Sequence, residues 1–391
     1  MKSIDFLINS LGNGGAERVV LALAKNFLAQ GKQVRIIALS RSCVYEIPQG
    51  IEMIYLDDIT DEERSSLKRM ALILRDAWRL KKIIKTYQIE QIQSHLFRSN
   101  YVNILSRLLG ARHRVQVVNH SVASRFLDAG ISGKIYLFLM RHLYPKADRV
   151  VTISKRMLID LASLVPLKGV ATSVIYNPYD VKMLLDAKSQ PLEPPFDFKM
   201  GHRYLLAIGR LIPLKRYEDI LYALAKLPHE VELLILGEDG GSLATLRSIQ
   251  MQLGLEDRVH FLGQIANPFP FMKRADLLVL SSQTEGFPNV LIEAMLCGTA
   301  VIASDCLSGP REILAPDSDL LDQLQEGLEW ATYGVLYPVG DRERLSEGIS
   351  TLLEDRSRRT LYEQKGIKRA MSFAVERIAL EYQAILEEKE R

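Results

Sequence analysis

Short apolar runs alternate with stretches of helical period along almost the whole chain. Runs at 4–9, 33–38, 53–56, 91–94, 114–118, 149–153 and 173–175 read as strands in the first half. Further runs at 204–209, 232–236, 259–261, 277–280, 300–303 and 334–337 read as strands in the second. Between them lie helical patterns such as 218–225, 242–253 and 289–297. Continuous apolar strands spaced by amphipathic helices predict parallel sheets covered on both faces. An aperiodic, proline-rich stretch at 189–202 reads as a linker. It separates an N-terminal domain, 1–188, from a C-terminal domain, 203–373, and a final amphipathic helix fills 374–391. The expected fold class is therefore α/β, with two doubly wound, Rossmann-like domains. In such sheets ligands bind beyond the carboxyl ends of the strands, and a deep cleft between two domains is the natural active site.

Composition narrows the function classes. At 391 residues, 48% hydrophobic and 25% charged, the chain is ordinary globular protein rather than a disordered one. No apolar run approaches the roughly 20 residues of a membrane span, and the first residues do not have the layout of a signal peptide. Cys43, Cys297 and Cys306 are too few and too scattered for a disulfide framework or a zinc site. The net charge of +3 hides an asymmetry. Residues 1–190 carry 28 Lys and Arg against 16 Asp and Glu, a net +12, so the second half is acidic by 9. A basic half points to a polyanionic surface. Part of it is concentrated at 62–87, where Arg64, Lys68, Arg75, Arg79 and Lys82 share one helical face with Trp78 on its flank. That face is expected to meet an anionic membrane, where each basic residue near the surface adds about 1 kcal/mol. The segment 134–146 mixes aromatic and aliphatic residues with Arg141 and Lys146, as lipid contact or as core. With 7% aromatic residues and no helix-turn-helix, zinc-finger or RNP pattern, nucleic-acid binding is the weaker use of the basic half.

Candidate chemistry sits in the turns. Gly12, Gly14 and Gly15 follow the first strand and open a helix, a place where backbone N–H groups meet phosphate. Gly12 and Gly14 fit a dinucleotide fingerprint, but its third position falls on Glu17 and the next strand ends at Ser40-Arg41 without an acid. An NAD(P)-dependent or nucleotide-sugar-modifying enzyme is the alternative this leaves. In the second half Gly209-Arg210 closes a strand and Lys215 follows in the loop, two cations suited to a diphosphate. Glu285-Gly286-Phe287-Pro288-Asn289-Val290-Leu291-Ile292-Glu293 then places two carboxylates around a helix start, with Asn289 as expected N-cap and Gly298 as stop. Exposed amides at 287–291 suit an anion and the carboxylates suit hydroxyls, a combination that fits a sugar joined to phosphate.

These residues resemble the paired-glutamate motif of retaining glycosyltransferases of family 4, with their two-domain B-type fold. Gly14–Arg18, Asn119-His120-Ser121, Tyr176-Asn177-Pro178, Gly237-Glu238-Asp239-Gly240, Phe261-Leu262-Gly263 and Ser308-Gly309-Pro310-Arg311-Glu312-Ile313 extend the resemblance over nearly the whole chain. The last stretch is similar to bacterial enzymes that build surface glycans on polyprenyl diphosphate. The resemblance implies that Arg210 and Lys215 hold the donor diphosphate, Glu285 the sugar hydroxyls and Glu293 the ribose. It assigns the phosphate and sugar to the backbone of Gly286, Phe287, Pro288, Asn289, Val290 and Leu291, and the base to Gly263. Gly14 and Gly15 would close on the donor phosphate, and His120 would bond the sugar near the reacting carbon. It further implies a nucleotide-sugar donor, UDP-linked for this branch, in the C-terminal domain and a polyprenyl-diphosphate-linked saccharide acceptor at the N-terminal one. The last helix would cross back to the N-terminal domain. No nucleic-acid partner, cofactor or metal is implied; Asp317-Ser318-Asp319 reads as solvated surface. The expected location is cytoplasmic, peripheral on the inner face of the cytoplasmic membrane.

Overall fold

The computed structural model describes residues 3–12, 14–57 and 72–388. The chain divides into two units, one formed by Met1–Tyr179 with Phe373–Arg391, the other by Asp180–Ser372.

In the first unit seven strands form one parallel sheet in the order β3-β2-β1-β4-β5-β6-β7. They are β1 (Ile4–Ile8), β2 (Val34–Ala38), β3 (Ile51–Tyr55), β4 (Gln91–His95), β5 (Arg114–Asn119), β6 (Arg149–Thr152) and β7 (Ala171–Val174). β1 and β4 are buried along their full length, because helices cover both faces. The helix Gly15–Ala29 returns from β1 and buries Val19, Val20, Leu23, Ala24 and Phe27. The last helix, Val375–Glu387, belongs to this unit and buries Ile378, Ala379, Tyr382, Ile385 and Leu386. Beyond its end the backbone and side chain of Glu388 take bonds from Arg114 and Arg149.

The second unit repeats the plan with β8 (Arg203–Ile208), β9 (Val231–Leu236), β10 (Val259–Gly263), β11 (Leu277–Leu280), β12 (Ala300–Ser304), β13 (Glu329–Trp330) and β14 (Val335–Tyr337). Their order is β10-β9-β8-β11-β12-β14-β13, with only the short β13 antiparallel. β13 has too few residues to leave a hydrophobic pattern in the sequence.

The division differs from the sequence expectation. The chain passes between units at Tyr179 and Asp180, not within 189–202. Helix Val181–Ala187, expected in the N-terminal domain, packs on helices Phe269–Arg274 and Asn289–Cys297 of the second unit. The stretch 189–202 is not a free linker, because Phe196 and Phe198 pack edge-on to Tyr204. Both crossings lie side by side: Tyr179 N donates to Phe373 O at 3.0 Å and Val375 N to Tyr179 O at 2.8 Å.

Candidate active site

The strand order of the second unit reverses between β8 and β11, so the loops leaving these neighbours diverge and open a crevice at their carboxyl ends. The two strongest charges expected from sequence meet there. Lys215, in the single turn Pro213–Lys215 after β8, places Nζ 2.6 Å from Oε1 of Glu285, which follows β11. Ser282 Oγ donates to the same oxygen at 2.6 Å. The loops are tied below the pair: Ser281 Oγ donates to Lys215 O at 2.7 Å and Gln283 N to Leu214 O at 2.8 Å. Tyr217 Oη donates to Gly209 O at 2.8 Å, and burial followed by the Glu285 charge keeps the phenol neutral by raising its pKa. Gly209 has φ +146, and a Cβ there would lie 3.1 Å from Tyr217 Oη and 3.4 Å from Lys215 Cε. Arg210 follows, exposed. Gly237, at the end of β9, is glycine because a Cβ would fall 2.0 Å from Gly209 O; its own N–H donates to Gly263 O at 2.7 Å. Gly263, Gly237 and Gly209 thus line three adjacent strand ends without side chains.

The turn after Glu285 is held from the β12 loop. Ser308, at φ +70, donates from Oγ to Gly286 O at 2.8 Å. Gly309, at φ +84, lies so close that a Cβ would sit 2.4 Å from Pro288 Cδ. Phe287 and Leu291 are buried, whereas Asn289 and Val290 keep partial exposure. Helix Asn289–Cys297 starts one residue earlier than the expected N-cap at Asn289 implies. Pro288, at φ −70 and ψ 102, is the cap residue and its carbonyl accepts from Leu291 N at 3.1 Å, so Asn289 is already helical. Gly298 stops the helix at φ +85. Glu293 lies buried one turn in.

In the first unit the order reverses between β1 and β4. Gly14 caps helix Gly15–Ala29, and a Cβ on it would stand 2.2 Å from Glu17 Oε2, so the Glu17 carboxylate folds over the turn. His120 follows β5, with Nε2 2.9 Å from Nδ1 of His95 at the end of β4. Burial lowers the pKa of His120 to about 3 and drives that of His95 well down, so both rings are neutral near pH 7.

Comparison with known proteins identifies the family and the fold. The family model described as glycosyl transferases group 1 matches residues 190–369, and that described as glycosyltransferase family 4 matches residues 13–182. An N-acetylgalactosamine-N,N'-diacetylbacillosaminyl-diphospho-undecaprenol 4-alpha-N-acetylgalactosaminyltransferase of Campylobacter jejuni is 30% identical over 380 residues, covering 97% of this chain and 98% of that one. The chain belongs to the glycosyltransferases. Among solved structures, sucrose-phosphate synthase of Thermosynechococcus elongatus superposes with a TM-score of 0.80 at 22% identity, over 98% of each chain. The Anabaena protein HepE, crystallised with UDP-glucose, gives 0.75 at 21% identity over 98% of this chain and 99% of its own. Both likenesses place the fold of this glycosyltransferase in the B-type class.

The basic helix of this glycosyltransferase departs from expectation. Arg64 and Lys68 lie outside the described residues. Helix Ile73–Tyr87 carries Arg75 and Arg79, but both are only part-exposed and are bonded within the protein. Arg75 donates to Asp57 at 2.5 Å and Asp76 at 3.1 Å, and Arg79 to Leu56 O at 2.6 Å. Asp57 and Leu56 sit in the loop after β3, which the helical pattern alone does not reveal. The outward ridge is instead Leu74, Trp78 and Lys82, with Trp78 52% exposed and Lys82 Nζ 3.6 Å above its ring. Helix Gly130–Leu143 presents a second such ridge: Ile131 and Phe138 are 79% and 59% exposed beside Lys134 and Arg141, while Met140 and Leu143 are buried. No helix among the described residues is long and apolar enough to cross a membrane. Asp317 and Asp319 are exposed, and Asp319 takes a bond from Leu321 N at 2.9 Å.

Sequence reasoning missed the supports. Ser281, Ser282, Tyr217, Ser308 and His95 were not singled out as parts of a site. A hydroxyl pair directly after a buried strand was the available signal for the first two. A lone histidine such as His95 reads as a packing residue, and nothing local separates it from one.

Proposed function

We propose that this glycosyltransferase moves a hexose or N-acetylhexosamine from a UDP-sugar to a polyprenyl-diphosphate-linked saccharide, with retention of configuration, during surface-glycan assembly. The observation that carries the reading is the Lys215–Glu285 pair at 2.6 Å beyond the switch point of β8 and β11. An ammonium and a carboxylate side by side offer one group to a phosphate and one to a hydroxyl, both features of a nucleotide sugar. The glycine-lined ends of β8, β9 and β10 leave room for a nucleotide to approach backbone. The acceptor class is drawn from the Campylobacter relative, whose substrate is a saccharide on diphospho-undecaprenol.

In this mechanism the bond between the anomeric carbon and the diphosphate oxygen breaks while the acceptor oxygen bonds to that carbon from the same face. The acceptor proton passes to the departing phosphate. Arg210 and Lys215 neutralise the charge that grows on the leaving group, and the amides at 286–291 hold the donor in place. Glu285 and Glu293 bond sugar and ribose hydroxyls, and His120 a hydroxyl near the reacting carbon. No metal is required, because side-chain cations take over the neutralising task. The ridges of helices Ile73–Tyr87 and Gly130–Leu143 rest on the inner face of the cytoplasmic membrane, where the lipid acceptor resides.

The test is transfer of label from a panel of UDP- and GDP-sugars to polyprenyl-diphosphate-linked saccharides, with and without excess chelator. One UDP-sugar should give an α-linked product in both conditions. Transfer only from GDP-sugars, a β-linked product, or dependence on added manganese would each overturn the corresponding part of the reading. Lys215→Met should cut turnover about 10²–10³-fold, the usual loss for one transition-state donor.

A further inference from the structure

A continuous file of buried polar side chains runs behind His120. His95 Nδ1 lies 2.9 Å from His120 Nε2, and His95 Nε2 lies 3.3 Å from Gln93 Oε1. Gln93 Nε2 reaches Gln116 Oε1 at 3.0 Å, and Gln116 Nε2 reaches the main-chain carbonyl of Ile385 at 2.7 Å. Gln93 and Gln116 are register partners on β4 and β5, and Ile385 belongs to the last helix. Gln93, His95 and Gln116 are fully buried.

The direction of every bond follows from the far end. A carbonyl oxygen only accepts, so Gln116 must turn its NH2 toward Ile385 and its oxygen toward Gln93. Gln93 must then donate to Gln116 and offer its oxygen to His95. His95 consequently carries its proton on Nε2 and offers a bare Nδ1 to His120. His120 must donate from Nε2, and its own Nδ1 is left as a lone pair. His120 as a residue keeps partial exposure, unlike His95, and no bond from the described residues reaches its Nδ1, which leaves that atom for a ligand. The file contains no carboxylate. A histidine backed by Asp or Glu is held in one tautomer and also made more basic. Two neutral amides fix the tautomer and leave the ring uncharged. The turn after His95 is also constrained, since Leu96 has φ +73, a conformation a branched side chain rarely adopts.

We propose that Gln116, Gln93 and His95 are positioning residues that lock His120 as the neutral Nε2–H tautomer, so that its Nδ1 accepts a hydrogen bond from a hydroxyl of the donor sugar. The last helix sets the polarity of this file through one carbonyl. The proposal deepens the role given to His120 above and rests on it. It also restricts the ligand: the group facing Nδ1 must be a donor, so a hydroxyl fits and a phosphate oxygen does not.

The full-length protein labelled with 15N-histidine tests this directly. Long-range 1H–15N correlation at pH 7.5, with His120→Gln to identify the resonance, should show His120 protonated on Nε2 only. His120 protonated on Nδ1, or charged, overturns the proposal. Gln93→Met, close in shape but unable to bond, should give mixed tautomers at His95 and His120. It should lower kcat/KM for the donor sugar by up to about tenfold, the value of one neutral hydrogen bond, with the acceptor KM unchanged. An unaltered His120 spectrum in Gln93→Met contradicts the relay. If the wild-type tautomer is as stated but His120→Ala keeps full kcat and donor KM, the donor-contact reading fails instead, and the two failures are told apart.

Discussion

At the scale of single residues, the candidate site depends on side chains that are absent as much as on those present. Gly309 shows this most sharply. Its φ of +84 is strained for any other residue, and the space its Cβ would need is filled by Pro288 Cδ at 2.4 Å, a ring on a fixed backbone that cannot swing aside. Gly309→Ala should therefore displace the Gly286–Pro288 turn, with a stability loss of about 1–3 kcal/mol and weaker nucleotide-sugar binding. Denaturant titration and donor KM check this; a variant with unchanged midpoint and KM would show that the turn is not held from the β12 loop. Gly309 was visible in the sequence only as part of a motif. Its contact with Pro288 joins residues on different loops, which no local pattern encodes. Lys215 and Glu285 were each legible as charged residues beyond a strand, but not as partners. The thiols are the opposite case. Small scattered cysteines suggest buried hydrophobes, which holds for Cys297 and Cys306 but not for Cys43, which is exposed; burial raises both buried thiols' pKa values, Cys297 to about 12.

At the scale of elements, the strands were legible because buried parallel strands are apolar throughout, and β1, β9 and β11 are buried at every position. The faces of helices were less so. Period places Arg75 and Arg79 on a polar face, yet that face packs beside Asp57 and Leu56 on the loop after β3. The exposed ridge of Leu74, Trp78 and Lys82 is offset from it. An interfacial helix needs apolar residues as well as cations on its outer surface, and this ridge has both. Trp78→Ala combined with Lys82→Glu should reduce sedimentation with vesicles containing anionic phosphatidylglycerol several-fold, leave neutral vesicles unaffected, and preserve transfer to a water-soluble acceptor analogue. Arg75→Gln should instead lower stability through the loss of its Asp57 and Asp76 bonds. Equal vesicle binding by the Trp78/Lys82 variant would remove this ridge from the membrane contact.

At the scale of the whole molecule, the charge asymmetry and the twofold repetition of strand and helix were legible from sequence, and the return of the chain near residue 373 falls within one residue of the expected boundary, but the first crossing was not legible. Proline content made 189–202 look like a linker, whereas Phe196 and Phe198 fold it onto Tyr204, and the crossing at Tyr179 carries no compositional mark. The first unit also holds three histidines in neutral form. His95 is driven well down, and His113 and His120 fall to about 4 and about 3, all by burial. Their unfolded values lie near 6.5, so below that pH the unfolded chain binds more protons and stability falls as pH falls, until each folded value is reached. The slope is about 1.4 kcal/mol per pH unit for each histidine. Hydrogen exchange of β4 and β5 amides, corrected for the intrinsic rate, should show progressively weaker protection from pH 7 to pH 5. Protection that stays constant across this range would contradict neutral burial of these rings.

The central claim is that Lys215 and Glu285, brought together by the reversal of strand order, receive the diphosphate and sugar of one activated donor. Calorimetric titration of UDP and of the cognate UDP-sugar into wild type, Lys215→Met and Glu285→Gln tests it most directly. Lys215→Met should weaken both ligands at least tenfold, while Glu285→Gln should weaken the UDP-sugar and leave UDP nearly unchanged, with all three proteins folded by circular dichroism. Wild-type affinity for both ligands in both variants would contradict the claim.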